Sequence, residues 1–131
     1  MRTGLLSRLF CRRKDAAAWI EIPELERRVA AGDDFVLIDV RRPEEFTAPP
    51  GHLPGAINIP LGDLPSRTEE LMAQCRIARC RTASGRPIVL VCKSDRRSAQ
   101  AAAALLAAGL QDVAVLRGGT DAWHRQGLAL E

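Results

Sequence analysis

Two apolar runs dominate the pattern of the chain, Phe35-Val-Leu-Ile-Asp-Val40 and Ile88-Val-Leu-Val91. Both are short, β-branched and nearly free of polar alternation, which predicts strands buried on both faces. Shorter strand signals lie at Trp19–Ile22, Ala56–Ile59 and Val113–Leu116. Between them the apolar period changes to that of a helix. Pro23 suits a first helical turn, Leu25, Val29 and Ala30 carry the pattern to Ala31, and Gly32 stops it before Asp33-Asp34 turn the chain. Residues 41–55, with Pro43, Pro49, Pro50, Gly51, Pro54 and Gly55, read as loop around one helical turn at Pro43–Phe46. Leu61–Leu64 predicts another turn, Arg67–Ala78 a fuller helix, and Thr82–Gly85 a loop. Ser98–Ala108 is so rich in Ala and Leu that it predicts a deeply buried helix closed by Gly109. Gly118-Gly119 reads as a turn, and Thr120–Gln126 as a last helix capped near Thr120 or Asp121. The expected fold is therefore a single α/β domain. It has a central parallel sheet of about five strands with helices on both faces.

Length and charge narrow this picture. With 131 residues, the chain fits one domain, and no apolar run reaches the roughly 20 residues that cross a bilayer. Residues 1–14 hold five bases (Arg2, Arg8, Arg12, Arg13, Lys14) and no acid. The net charge of +3 thus becomes −2 for the remainder, which argues against nucleic-acid binding by the domain. Residues 1–15 read as a flexible basic leader and 16–131 as the domain. The leader's apolar patch is interrupted by Arg8, too broken for a secretory core of roughly 7–15 residues. A transit peptide or a membrane-surface helix is the alternative to a frayed tail. Four cysteines (Cys11, Cys75, Cys80, Cys92) in a domain able to build a core predict free thiols and a reducing, cytoplasmic setting.

One constellation carries chemistry. Cys92 closes a predicted buried strand, a loop Cys92–Arg97 follows, and a helix is expected near Ser98. Sites in open parallel sheets form beyond such carboxyl strand ends. A curled loop aims backbone N–H groups at the sulfur, the helix N-terminus adds partial positive charge, and Lys93, Arg96 and Arg97 add full charges. Each favours thiolate, the nucleophilic form, and such settings lower a free thiol's pKa from about 8.5 to roughly 3.5–7.5. The bland alternative is a buried core cysteine.

Four segments in order resemble the rhodanese family of sulfurtransferases. They are Phe35-Val-Leu-Ile-Asp-Val-Arg-Arg-Pro-Glu-Glu-Phe46, Gly51-His-Leu-Pro-Gly-Ala-Ile-Asn-Ile-Pro60, Val91-Cys-Lys-Ser-Asp-Arg-Arg-Ser-Ala-Gln-Ala101 and Leu116-Arg-Gly-Gly-Thr-Asp-Ala-Trp123. The resemblance implies a rhodanese-like fold over about residues 19–129 and Cys92 as catalytic residue. Lys93, Ser94, Asp95, Arg96, Arg97 and Ser98 would bind substrate, with Arg97 orienting an oxyanion such as the sulfonate end of thiosulfate. It implies no cofactor and no metal. The partners are a small sulfur donor, thiosulfate or a persulfide, and a thiol or protein acceptor. Arg97 stands five positions after Cys92. By resemblance that Cys-x4-Arg loop belongs to sulfur transfer, whereas the Cys-x5-Arg loop belongs to phosphatases and arsenate reductases. The family commonly has Gly where this chain has Asp95. Asp tolerates positive φ better than most residues, so the loop shape is expected to survive. The carboxylate either opposes thiolate and anionic substrates or pairs with Arg96 or Arg97.

The remaining candidates read as structural. Asp39 and Arg41 are expected to form an ion pair or hydrogen bonds that order loops, and His52 to order its Pro/Gly loop. Trp19 and Trp123 read as core or sheet-edge packing. Cys75 and Cys80 lack the partners of a zinc site and read as two free cysteines, with a resolving thiol as the alternative. The expected function is sulfurtransferase chemistry through a Cys92 persulfide. The competing reading is a non-catalytic binding or regulatory module, or a persulfide carrier with negligible thiosulfate activity.

Overall fold

The structure is a computed structural model, and it describes residues 17–77 and 87–131. The leader, the Thr82–Gly85 loop, Cys80 and the Cys75 side chain lie outside the described residues. Five strands form one parallel sheet: β1 (Ala18–Ile20), β2 (Val36–Asp39), β3 (Ile57–Asn58), β4 (Ile88–Val91) and β5 (Val113–Leu116). Their spatial order is β1-β5-β4-β2-β3, and every neighbouring pair is parallel. All residues of β2, β4 and β5 are buried, as expected of unalternating strands covered on both faces. The two short edge strands are partly open, and Trp19 on β1 is 44% exposed, with the Arg117 guanidinium over its ring.

Successive strand residues point to opposite faces, so each central strand feeds two cores. Val36, Ile38, Ile88, Leu90 and Val115 face one layer, which holds α3 (Leu64–Ile77) and α4 (Arg96–Ala107). Leu37, Val89, Val91, Ala114 and Leu116 face the other, which holds α1 (Ile22–Ala31) and α5 (Gly119–Arg125). A short helix, α2 (Pro43–Thr47), follows β2, and a 3-10 turn at Leu61–Asp63 runs into α3. Helix α1 ends as its sequence predicts, with Gly32 in the left-handed region at φ 70°.

Two expectations are corrected. Helix α4 starts at Arg96, two residues before Ser98, because the Asp95 carbonyl already accepts the Ala99 N–H at 2.9 Å. It is also not buried all round. Ser98, Ala101, Ala102 and Leu105 form its buried stripe at helical spacing, whereas Ala103, Ala104 and Ala107 face solvent. Alanine supplies helix propensity at every position, so composition alone does not reveal which face packs.

The arrangement singles out one point at the carboxyl edge of the sheet. The chain leaves β4 toward the layer of α4 and leaves β5, its neighbour, toward the layer of α5. Connections that part to opposite faces mark the point, beyond the carboxyl ends of the two strands, where open α/β sheets place their sites. At the far end of the sheet, Asp112 precedes β5 with φ 54°, and burial pushes its carboxyl up to about 6.

Candidate active site

Cys92 is the first residue past β4 and continues the parity of Ile88 and Leu90, so its side chain faces the α3/α4 layer. It is a free thiol and only 1% exposed. Ser98, one turn into α4 and fully buried, meets it twice. The Ser98 N–H donates to Sγ at 3.4 Å, and Ser98 Oγ lies 3.3 Å from Sγ. The same hydroxyl donates to the Asp95 carbonyl at 3.0 Å. Of the several loop N–H groups expected at the sulfur, only that of Ser98 reaches it among the described residues.

The rest of the loop backbone is held from behind by the start of α5. The Thr120 N–H donates to the Cys92 carbonyl at 2.9 Å, and the Asp121 N–H to the Lys93 carbonyl at 3.0 Å. Because C=O and N–H point opposite ways across a trans peptide, the N–H groups of Lys93 and Ser94 turn away from α5. Gly119, at φ 61°, makes the close approach possible. A Cβ there would overlap the carbonyl oxygens of Cys92, Lys93 and Ser94. The last helix accordingly starts at Gly119 with Gly118 as its cap, earlier than Thr120.

Asp95 departs from expectation in two ways. Its φ is −135°, so it does not occupy the left-handed conformation that Gly would supply. Its carboxylate pairs with neither Arg96 nor Arg97. Instead it accepts the Gly118 N–H at 2.7 Å, tying the cysteine loop to the β5–α5 turn. Gly118 itself takes φ 85° to present that N–H.

The basic residues are also differently engaged. Lys93 Nζ donates to Asp121 at 2.9 Å. Arg97 spends both terminal nitrogens on Glu45, at 2.7 and 3.2 Å. That bidentate bond holds the Glu45 carboxyl down at about 2 and raises the Arg97 guanidinium above its usual value. The charges of Cys92 and Asp39 contribute further to the rise at Arg97, which places that side chain within electrostatic reach of both. Only Arg96, exposed in the first turn of α4, has no acidic partner among the described residues. The three cations therefore do not act as an uncompensated positive shell around the sulfur.

Neighbouring loops supply the frame. Asp39 is fully buried and bonds Arg41 through its backbone N–H, Nε and Nη2, the last at 2.8 Å. Arg41 in turn donates to the Gly51 carbonyl at 3.0 Å, joining the two loops. His52 stacks on Phe46 with centroids 3.7 Å apart, its Nδ1 sits 3.0 Å from the Phe46 carbonyl, and its backbone exchanges two bonds with Glu131. Both clusters have the loop-ordering form read from the sequence. Glu45, Gly118, Gly119 and Asp121 were not singled out as site residues. Their signal was available in the Pro-Glu-Glu-Phe and Gly-Gly-Thr-Asp segments, but nothing local says that these meet Cys92. Among the described residues, no group of three or more His, Cys, Asp or Glu side chains could hold a metal ion. No helix there is long and apolar enough to cross a membrane.

A parallel α/β domain that presents a buried cysteine in a strand-to-helix loop defines the class. The family model for the rhodanese-like domain matches residues 21–126, and this chain belongs to that family. A protein named sulfurtransferase from Allochromatium vinosum is 34% identical over 111 residues, covering 85% of this chain and 92% of that one. The crystal structure of thiosulfate sulfurtransferase from Pseudomonas aeruginosa matches with a TM-score of 0.72 and 26% identity, over 98% of this chain and 22% of its own. The solution structure of the rhodanese-like domain of the Alr3790 protein from Anabaena sp. matches with a TM-score of 0.68 and 27% identity, over 85% and 76% of the two chains.

Proposed function

We propose that this chain is a sulfurtransferase that carries sulfane sulfur on Cys92. The supporting observation is the environment of one atom. Sγ stands at the carboxyl end of a central strand, bonded by the Ser98 N–H and beside the Ser98 hydroxyl. The Cys92 thiolate attacks the outer sulfur of a donor. A new S–S bond forms, the donor's own S–S bond breaks, and its electron pair leaves on sulfite or on a thiolate. An acceptor nucleophile then attacks the outer sulfur of the Cys92 persulfide and restores the thiolate, giving ping-pong kinetics.

Ser98 suits both halves of this cycle. Its single hydroxyl proton has two acceptors in reach, the Asp95 carbonyl and Sγ. Beside a neutral thiol, S–H donates to Oγ and Oγ donates to Asp95. Beside an anionic sulfur, the hydroxyl turns to Sγ. No general base is needed once the thiol is ionised.

The test is incubation of the full chain with thiosulfate or a low-molecular persulfide, followed by intact mass measurement. The expected result is a gain of one sulfur atom that is absent in Cys92→Ser. No sulfur uptake from either donor would favour a binding module on the same fold.

A further inference from the structure

Six charged side chains stand on or against the cysteine loop, and their charges cancel. Lys93, Arg96 and Arg97 face Asp95, Glu45 and Asp121. Two of the three cations are already in ion pairs, at 2.9 Å for Lys93 with Asp121 and 2.7 Å for Arg97 with Glu45. The carboxylate of Asp95 adds a negative charge within the loop itself, fixed on the Gly118 N–H. From this balance we infer that the site takes its sulfur from an organic persulfide, R–S–SH, in preference to thiosulfate. Glu45 and Asp121 are the residues that set the preference. The inference rests on the sulfur-transfer reading above and narrows its donor.

Thiosulfate is a dianion whose sulfonate end must be gripped while its outer sulfur meets Cys92. A guanidinium fork is the natural grip for two oxygens of such a tetrahedral anion. Here the fork of Arg97 is committed to Glu45 through both terminal nitrogens. Breaking that pair to admit a sulfonate would leave the Glu45 carboxylate with only Arg42, at 3.6 Å, while it faces a dianion. The Lys93 ammonium is engaged with Asp121 through one surface bond at 2.9 Å. Arg96 alone is left to offset two negative charges. Cys92 is also only 1% exposed, so a donor must shed water to reach its sulfur, which is most costly for the most highly charged donor.

A persulfide needs no such grip. The Cys92 thiolate attacks the terminal sulfur of R–S–SH. The Cys92 S–S bond forms, the R–S–S bond breaks, and R–S⁻ leaves with the electron pair. Cys92 ends as the persulfide bearing the transferred sulfur and its proton. Atoms and charge balance without an oxidant or a reductant.

The experiment is single-turnover loading of the full chain, with thiosulfate and a cysteine-derived alkyl persulfide as alternative donors, read as the second-order rate of sulfur gain by intact mass. The persulfide rate should exceed the thiosulfate rate by about 100-fold, a gap of the size that uncompensated charge creates at short range. Asp121→Asn and Glu45→Gln should each raise the thiosulfate-to-persulfide rate ratio about fivefold by freeing a cation. The ratio is internal to each variant, and sulfur gained in the same variant carrying Cys92→Ser is subtracted, which removes loading of the other thiols and of unfolded chain. Thiosulfate loading as fast as the persulfide, or a ratio unmoved in both variants, would overturn the donor preference and leave sulfur transfer standing. Failure of both donors to load Cys92 would instead overturn sulfur transfer itself.

Discussion

The loop after β2 and the loop after β4 leave neighbouring, fully buried strands at the same end of the sheet, yet different kinds of contact hold them. After β2, the main lock is local. Asp39 and Arg41 are two residues apart, both buried, and bonded at 2.8 Å. After β4, the local contacts of Ser98 with Cys92 and Asp95 are joined by side-chain ties that reach across the chain. Asp95 meets Gly118 at a separation of 23 residues, Lys93 meets Asp121 at 28, and Arg97 meets Glu45 at 52. A local, desolvated pair makes a rigid frame that forms with its own segment. Longer-range, partly exposed ties let a reactive loop be positioned by two other helices at once, α2 and α5 with its cap, and let charge be tuned there without disturbing the core.

The sharpest way to break this contrast is at the frame. Asp39→Ala would leave Arg41 as a buried charge without its carboxylate. It should cost about 3–5 kcal/mol of stability, measured by urea unfolding. Sulfur loading per folded molecule should be nearly unchanged. A loss below about 1 kcal/mol would mean that the buried pair is not the lock.

On the cysteine loop the balance should reverse, with less stability lost and more activity. Asp95→Ala removes the acceptor of the Gly118 N–H and should cost about 1–2 kcal/mol. It should also slow Cys92 loading about tenfold or more, since small displacements of a reacting atom are expensive. Asp95→Asn keeps an acceptor oxygen and should restore most of the rate. Equal rates in Ala and Asn variants would show that the carboxylate's charge, rather than its bond to Gly118, governs the loop.

The smallest expected effect lies in acid. Glu45 titrates at about 2 in the folded chain against an ordinary value of 4.5. A depressed folded pKa means that its contribution is complete above about 4.5 and is lost as pH falls from there toward 2. With the pair partly exposed, the loss should be about 1 kcal/mol. Unfolding free energies measured across that window should flatten in Glu45→Gln, and an unchanged slope would contradict the assignment.

How much of this was legible depends on the range of the contact. The Asp39–Arg41 pair could be expected because two oppositely charged residues flank the end of a buried strand. Cys92 and Ser98 could be placed because a strand, a short loop and a helix follow one another directly. The partner of Asp95 could not be read in this way. Its carboxylate had Arg96 and Arg97 as sequence neighbours, and the fold gave it a backbone N–H from another loop. The same holds for Arg97, whose basic character suggested a substrate clamp until α2 brought Glu45 to it.

The sequence by itself determined the α/β class, the buried character of β2 and β4, and the cysteine at a strand's carboxyl end. These follow from periodicity and adjacent residues, which act over a few positions. Tertiary structure alone decided that α4 packs by one stripe, that α5 grips the loop carbonyls through the Thr120 and Asp121 N–H groups, and that Lys93 and Arg97 are paired with acids. Those outcomes depend on which distant segments the parallel sheet sets side by side, and charge compensation between them is a property of distance in space.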